Sequence, residues 1–163
     1  MSRDRDGQGR PRNARARDEL GRPLPRTTPA DPTEDAPARP PVEALTEAQT
    51  LLDAGRAFEA HEVLEAVWKA TSGTERALWR GLAQLAVGVT HRLRGNDSGA
   101  TALLRRAAQT LQPLAEERPY DVDVEGLRTW ALRAADDPSA VMPRLVGQAA
   151  EERAAAARPR LSR

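Results

Sequence analysis

The chain has no cysteine, a single lysine, two histidines and few aromatic side chains: three tryptophans, one tyrosine and one phenylalanine. Without cysteine there are no disulfides, thiolate zinc sites or cysteine nucleophiles, so any metal must be held by histidine, carboxylate or amide groups. Two histidines leave no Ser-His-Asp arrangement to argue, and no glycine-rich phosphate loop follows a strand. No apolar run approaches the ~18 residues that span a bilayer, and the start has no apolar signal-peptide core, so the expectation is a cytoplasmic chain without a membrane partner. The formal net charge is +1. That supplies no global basic field of the kind that drives nucleic-acid binding.

The first 41 residues carry eight of the thirteen prolines, nine arginines and seven acidic residues, with only Leu20 and Leu24 as sizeable aliphatics beyond Met1. So little apolar surface cannot offset the entropy of ordering the segment, so residues 1–41 are read as a disordered tail of mixed charge. The basic clusters Arg10-Pro-Arg12 and Arg15-Ala-Arg17 are interrupted by Asp4, Asp6, Asp18 and Glu19. This weakens any nucleic-acid or membrane-surface reading of the tail.

From Val42 the pattern becomes helical and strand signals are absent. Ala44, Leu45, Ala48, Leu51 and Leu52 recur at helical spacing up to Gly55, predicting a helix over about 43–54. Ala57, Ala60, Leu64, Val67 and Trp68 predict a second over about 57–70, stopped by Thr71-Ser-Gly73. A third begins near Thr74 and ends at Gly95; the eleven residues Gly81 to His91 carry no charged side chain, which marks it as the central element. Its arginines 76, 80, 92 and 94 lie at its ends, where they are expected to reach water. A fourth helix capped by Asn96 or Asp97 runs to the Pro113 region, a fifth covers about 123–135, and a last covers roughly 139–157 although Pro143 obstructs its first turns. Gly55, Ala60 and Leu64 have counterparts forty residues on in Gly95, Ala100 and Leu104, so two helical hairpins repeat. The expectation is an all-α bundle of five to six helices built on two hairpins, occupying 42–150, with a fraying end at 151–163.

One stretch stands out as a site. On the second helix Phe58, His61, Glu65 and Trp68 fall within a wedge of about 80°, placing a histidine and a carboxylate one turn apart between two large rings. On the third, Arg80, Gln84 and His91 fall within about 40° of one another, opposite the Leu78, Leu82, Leu85 and Val89 stripe. Facing stripes would gather His61, Glu65, Gln84 and either His91 or Arg80 into one cluster; His91 lies ~10 Å beyond Gln84 along the axis, so the three cannot share one atom. Three uses follow. The first, and preferred, is a buried polar network fixing the two helices in register, within a module that binds a small ligand or another protein. Another is a small-molecule or anion pocket lined by His61, Trp68 and Arg80. The third is a divalent metal held by His61, Glu65 and His91, with Glu62 as candidate base toward a bound water in a metal-dependent hydrolase. Glu62 points about 100° away from His61, which weakens it as that base.

The motifs Phe58-x-x-His61-Glu62-x-x-Glu65-x-x-Trp68, Arg80-Gly81-Leu82-x-Gln84-Leu85-Ala86, His91, and Arg94-Gly95-Asn96-x-x-Gly99-Ala100 followed by Leu103-Leu104 resemble, in this order, the bacterial and archaeal domain of unknown function family 309. The resemblance covers roughly residues 43–112. It implies a small all-helical fold, marks His61, Glu62, Glu65, Trp68, Gly81, Gln84 and His91, and brings with it the label of predicted metal-dependent hydrolase sometimes given to that family. Arg80 stands where the family pattern has glutamine, and a cation there suits a carboxylate neighbour better than a metal.

Overall fold

The two glycine corners that repeat in the sequence are the same turn in the structure, a computed structural model that describes residue 22, residues 38–141 and residues 143–145. Helix α1 (Pro41–Asp53) ends with Gly55 at φ 74°, and its N–H donates to Leu52 O while the N–H of Arg56 donates back to Leu51 O at 2.8 Å. Helix α3 (Glu75–Leu93) ends with Gly95 at φ 73°, whose N–H donates to Arg92 O while that of Asn96 donates to His91 O at 2.9 Å. Both are Schellman closures, and the left-handed residue is glycine because a Cβ would be strained there. In each the next residue, Arg56 or Asn96, is already the N-cap of the following helix, α2 (Ala57–Ala70) or α4 (Asp97–Leu111). Such a short corner forces each helix pair antiparallel.

Four helices therefore stand beside their sequence neighbours, and α5 (Val124–Asp136) packs on α4. The uncharged run of α3 is the centre, in contact with both α2 and α4. Leu78, Trp79, Leu82, Leu85 and Ala86 are wholly buried there. Two glycines set how close α4 comes. A Cβ on Gly81 would lie 2.6 Å from the Leu111 side chain, and one on Gly88 would lie 2.8 Å from Leu104. The expected all-α fold and its two hairpins are present, and no strand occurs among the described residues.

Between α4 and α5 the chain makes two short 3-10 turns, Gln112–Leu114 and Pro119–Asp121, that carry no sequence periodicity. Tyr120 and Asp121 both have positive φ there, and the Tyr120 hydroxyl donates to Glu75 Oε2 at 2.6 Å. That bond holds the phenol above its ordinary pKa. The α5 carbonyl end is closed by its neighbours, with Arg92 Nη2 donating to Ala134 O and Thr101 Oγ1 to Ala135 O. Arg92 and Arg94 are thus half-buried rather than turned out to water at the helix end.

The sixth helix expected from residue 139 is not formed at its start: residues 139–141 and 143–145 are non-helical. Pro143 removes a donor from any helix there, and the segment instead crosses α1. Gln49, buried within α1, accepts from Leu145 N at 2.6 Å and donates to Pro143 O at 3.2 Å. Leu145 is wholly buried, so a non-helical strap closes this side of the core. The remainder of that expected helix, the tail apart from Arg22 and residues 38–41, and the end at 151–163 lie outside the described residues.

Gly88→Ala, which an isolated helix would favour by about 1 kcal/mol, is expected to lower the free energy of unfolding by about 1–2 kcal/mol, within the range of overpacked cores. Urea unfolding of the two proteins measures it. A gain in stability would show that Leu104 yields and that the α3–α4 approach is not tight.

Candidate functional site

Helix α2 buries Ala57, Ala60, Leu64 and Val67 and leaves Phe58, His61, Glu65 and Trp68 along one edge. The wedge read from the sequence is therefore real as a half-buried stripe. His61 Nε2 lies 3.9 Å from Glu65 Oε2, with side chains 19% and 33% exposed, and Lys69 Nζ reaches the same carboxylate oxygen at 3.3 Å. These are one-turn contacts along a single helix, which stabilise it by only a few tenths of a kcal/mol each. The Phe58 and His61 rings are tilted at 53° with centroids 6.0 Å apart.

The neighbouring helix covers both aromatic ends of the stripe with arginine. Arg76 lies over the Trp68 ring at 4.9 Å, and Arg94 lies over Phe58 at 5.9 Å. Arg76 also donates from Nη1 to Trp68 O at 2.8 Å and Thr71 O at 2.9 Å, closing the carbonyl end of α2. The two arginines are eighteen residues apart, about five turns of helix, and so project from the same side of α3. Their positions also show the direction of packing: His61, one turn from Phe58, is at the Arg94 end of α3. The Trp68 indole Nε1 is buried without an acceptor among the described residues.

The stripe expected to face His61 across the helix pair does not do so. Gln84 turns to α4, where its Oε1 accepts from the Thr110 hydroxyl at 2.7 Å. His91 Nδ1 meets Asn96 Nδ2 at 2.9 Å, at the corner where Asn96 Oδ1 accepts from Gly99 N. Because that Asn96 oxygen is committed to the α4 cap, the amide nitrogen faces His91 and the ring nitrogen is the acceptor. Arg80 is exposed. The reason is rotational. At 100° per residue, Arg80 and His91 lie about 40–60° from the Arg76–Arg94 line, on the outer seam between α2 and α4, and Gln84 lies about 80° from it. Glu62 is an exposed residue of α2, one position from His61 along the helix surface. The preferred picture of one interhelical cluster thus becomes two separate polar places, His61–Glu65 on α2 and His91–Asn96 at the α3–α4 corner. Among the described residues no group of three or more histidine and acidic side chains could hold a metal ion.

The arginines over the rings were legible only as end residues. The signal that would have found them is the five-turn separation of Arg76 and Arg94, matched on α2 by aromatics at positions 58 and 68.

Residues 45–103 match the family described as Domain of unknown function (DUF309), the family the motifs resemble, over a slightly shorter span than those motifs cover. The chain is 42% identical over 65 residues to a Bacillus subtilis (strain 168) protein named Uncharacterized protein YpuF, a match that takes in 39% of this chain and 36% of that relative. The chain therefore spans about a third of the relative's length. No solved structure gives a significant match. No described helix is long and apolar enough to cross a membrane.

His61→Ala is expected to cost about 1 kcal/mol or less, because its carboxylate contact is a same-helix pair beside solvent. Leu64→Ala, from the buried face of the same helix, is expected to cost about 2–5 kcal/mol. Denaturant unfolding of both variants separates the cases, and equal losses would show that His61 is a packing element.

Proposed function

We propose that the chain is a non-catalytic helical binding module whose contact face is the outer edge of α2. The observation that carries this reading is the pairing of each aromatic ring on the edge with an α3 arginine, Arg94 over Phe58 and Arg76 over Trp68, on either side of a half-exposed His61–Glu65 pair. Arginine and tryptophan are the residues that most often dominate binding surfaces, because a ring and a guanidinium offer large, stiff contact area with a polar rim. Holding both by cross-helix stacking lowers the entropy cost of engaging a partner. His61 and Glu65 then supply one donor-or-acceptor ring and one acceptor between the anchors.

The alternative, hydrolysis assisted by a metal on His61, Glu65 and His91, receives less support. The His91 ring is turned toward Asn96, and the carboxylate beside His61, Glu65, is on its own helix. Glu62 has no place in the binding reading as a base.

Titration of isotope-labelled protein tests both. Zinc chloride is expected to give no stoichiometric, saturable shift. A panel of small carboxylates, amides and aromatic fragments is expected to shift the amides of 58–68 and the Trp68 indole signal ahead of the rest. Zinc binding at one equivalent that is lost in His61→Ala and His91→Ala would overturn the binding-module reading in favour of the hydrolase. Fragment shifts centred on the crevice of Gln112, Pro113, Glu116 and Arg128 would move the face elsewhere.

A further inference from the structure

We infer that α1 carries a peptide-recognition site, centred on Gln49, for segments of the form Pro-x-Leu. The chain's own Pro143-Arg144-Leu145 is the ligand seated there, and it exchanges for such a segment of another polypeptide. The site shares no residue with the α2 edge and does not depend on the function proposed for that edge.

Gln49 is 4% exposed, a deep burial for a primary amide with two donors and an acceptor to satisfy. Its Oε1 accepts from Leu145 N at 2.6 Å, and its Nε2 donates to Pro143 O at 3.2 Å and to Asp53 Oδ1 at 2.9 Å. Both bonds to the segment go to main chain, on either side of Arg144. In a parallel ladder one residue of the partner strand likewise takes a carbonyl and the N–H two residues on, so the Gln49 amide stands in for a strand. Asp53, one turn along α1, takes the other amide hydrogen and so fixes which end of the amide carries the oxygen. A polar group buried without its bond costs more than the bond contributes, so this pair selects a main chain with that spacing of acceptor and donor.

The side chains add selectivity. Pro143 is buried, Arg144 is exposed and Leu145 is wholly buried. This is the two-residue alternation of strand-like peptide recognition, where main-chain bonds hold the segment and alternate side chains enter the receptor. Leucine is the anchor, because it carries the apolar surface removed from water. Proline suits the first position: it has no N–H to be left without a partner when buried, and its carbonyl is the one Gln49 binds. The middle residue faces outward, so its identity matters little.

Residues 143–145 belong to no helix or strand. A short stretch of this kind opens at lower free energy than the packed helices, which makes exchange accessible. Pro-x-Leu occurs twice in the sequence, here and at Pro159-Arg160-Leu161, both times as Pro-Arg-Leu. The second occurrence supplies a probe.

A synthetic peptide with the sequence of residues 157–163, Ala-Arg-Pro-Arg-Leu-Ser-Arg, tests the site on the isotope-labelled full chain. The double variant Leu145→Ala, Leu161→Ala has no Pro-x-Leu left to compete. In it the peptide is expected to shift the Gln49 side-chain amide and the backbone amides of 45–52 saturably, and to raise the melting temperature toward that of the unaltered chain. The same peptide with alanine in place of its leucine is expected to do neither. In the unaltered chain the peptide is expected to displace the cis segment and move the Leu145 amide signal. It should need at least about 10-fold more peptide there, because apparent affinity falls by the fraction of molecules whose site is open. No Gln49 shift in the double variant, or an equal response to the alanine peptide, would overturn the site. Equal affinity in the two chains would place the peptide elsewhere and overturn the exchange. Should the double variant fail to fold, the unaltered chain decides alone: Leu145 and Gln49 signals that stay still at millimolar peptide refute the proposal.

Discussion

The close approach of α3 to α4 at Gly81 and Gly88 is the contact on which the rest of the arrangement depends. With Leu111 and Leu104 filling the places where two Cβ atoms would stand, α3 has one rotational setting against α4. Those glycines lie about 120–140° around the helix from Arg76 and Arg94, so fixing one side turns the other toward α2. The arginine-covered rings of α2 are a consequence of that rotation. So is the parting of His61 from Gln84, whose side of α3 is committed to Thr110 on α4.

The two Schellman corners provide the complementary constraint along the chain. Each uses one glycine and hands the next residue to the following helix as its cap, so the hairpins α1–α2 and α3–α4 share one geometry. The caps themselves differ. Asn96 closes α4 with its own side chain and holds His91 beside it, whereas Arg56 makes no side-chain cap and pairs with Glu59 instead. The same turn repeated forty residues apart thus carries a polar corner in one copy and a charged surface pair in the other.

Much of this was legible in the sequence because it is periodic. The α2 bounds, the glycine stops, the uncharged centre of α3 and the cap at Asn96 are local patterns of propensity and burial. What was not legible depends on rotation or on long-range pairing. Which side of α3 faced α2 turned on the glycine contacts with α4, which no spacing within α3 records. The strap through Pro143 and Leu145 is fixed by Gln49, ninety-odd residues earlier, and so looked like the damaged start of a helix. The His61–Glu65 spacing identified a true neighbour pair but not its partners across the seam, since a one-turn spacing on one helix says nothing about the next.

The segment that matches DUF309, residues 45–103, contains α2, α3 and the corner into α4, the same elements that build the proposed face and set its rotation. The central claim is that His61 and Gln84 occupy different seams and do not form one network. A double-mutant cycle with His61→Ala and Gln84→Ala, read by urea unfolding, tests this most directly. The account predicts additive losses, with coupling within about 0.5 kcal/mol as for independent sites, whereas coupling above about 1 kcal/mol would contradict it and restore a shared interhelical cluster.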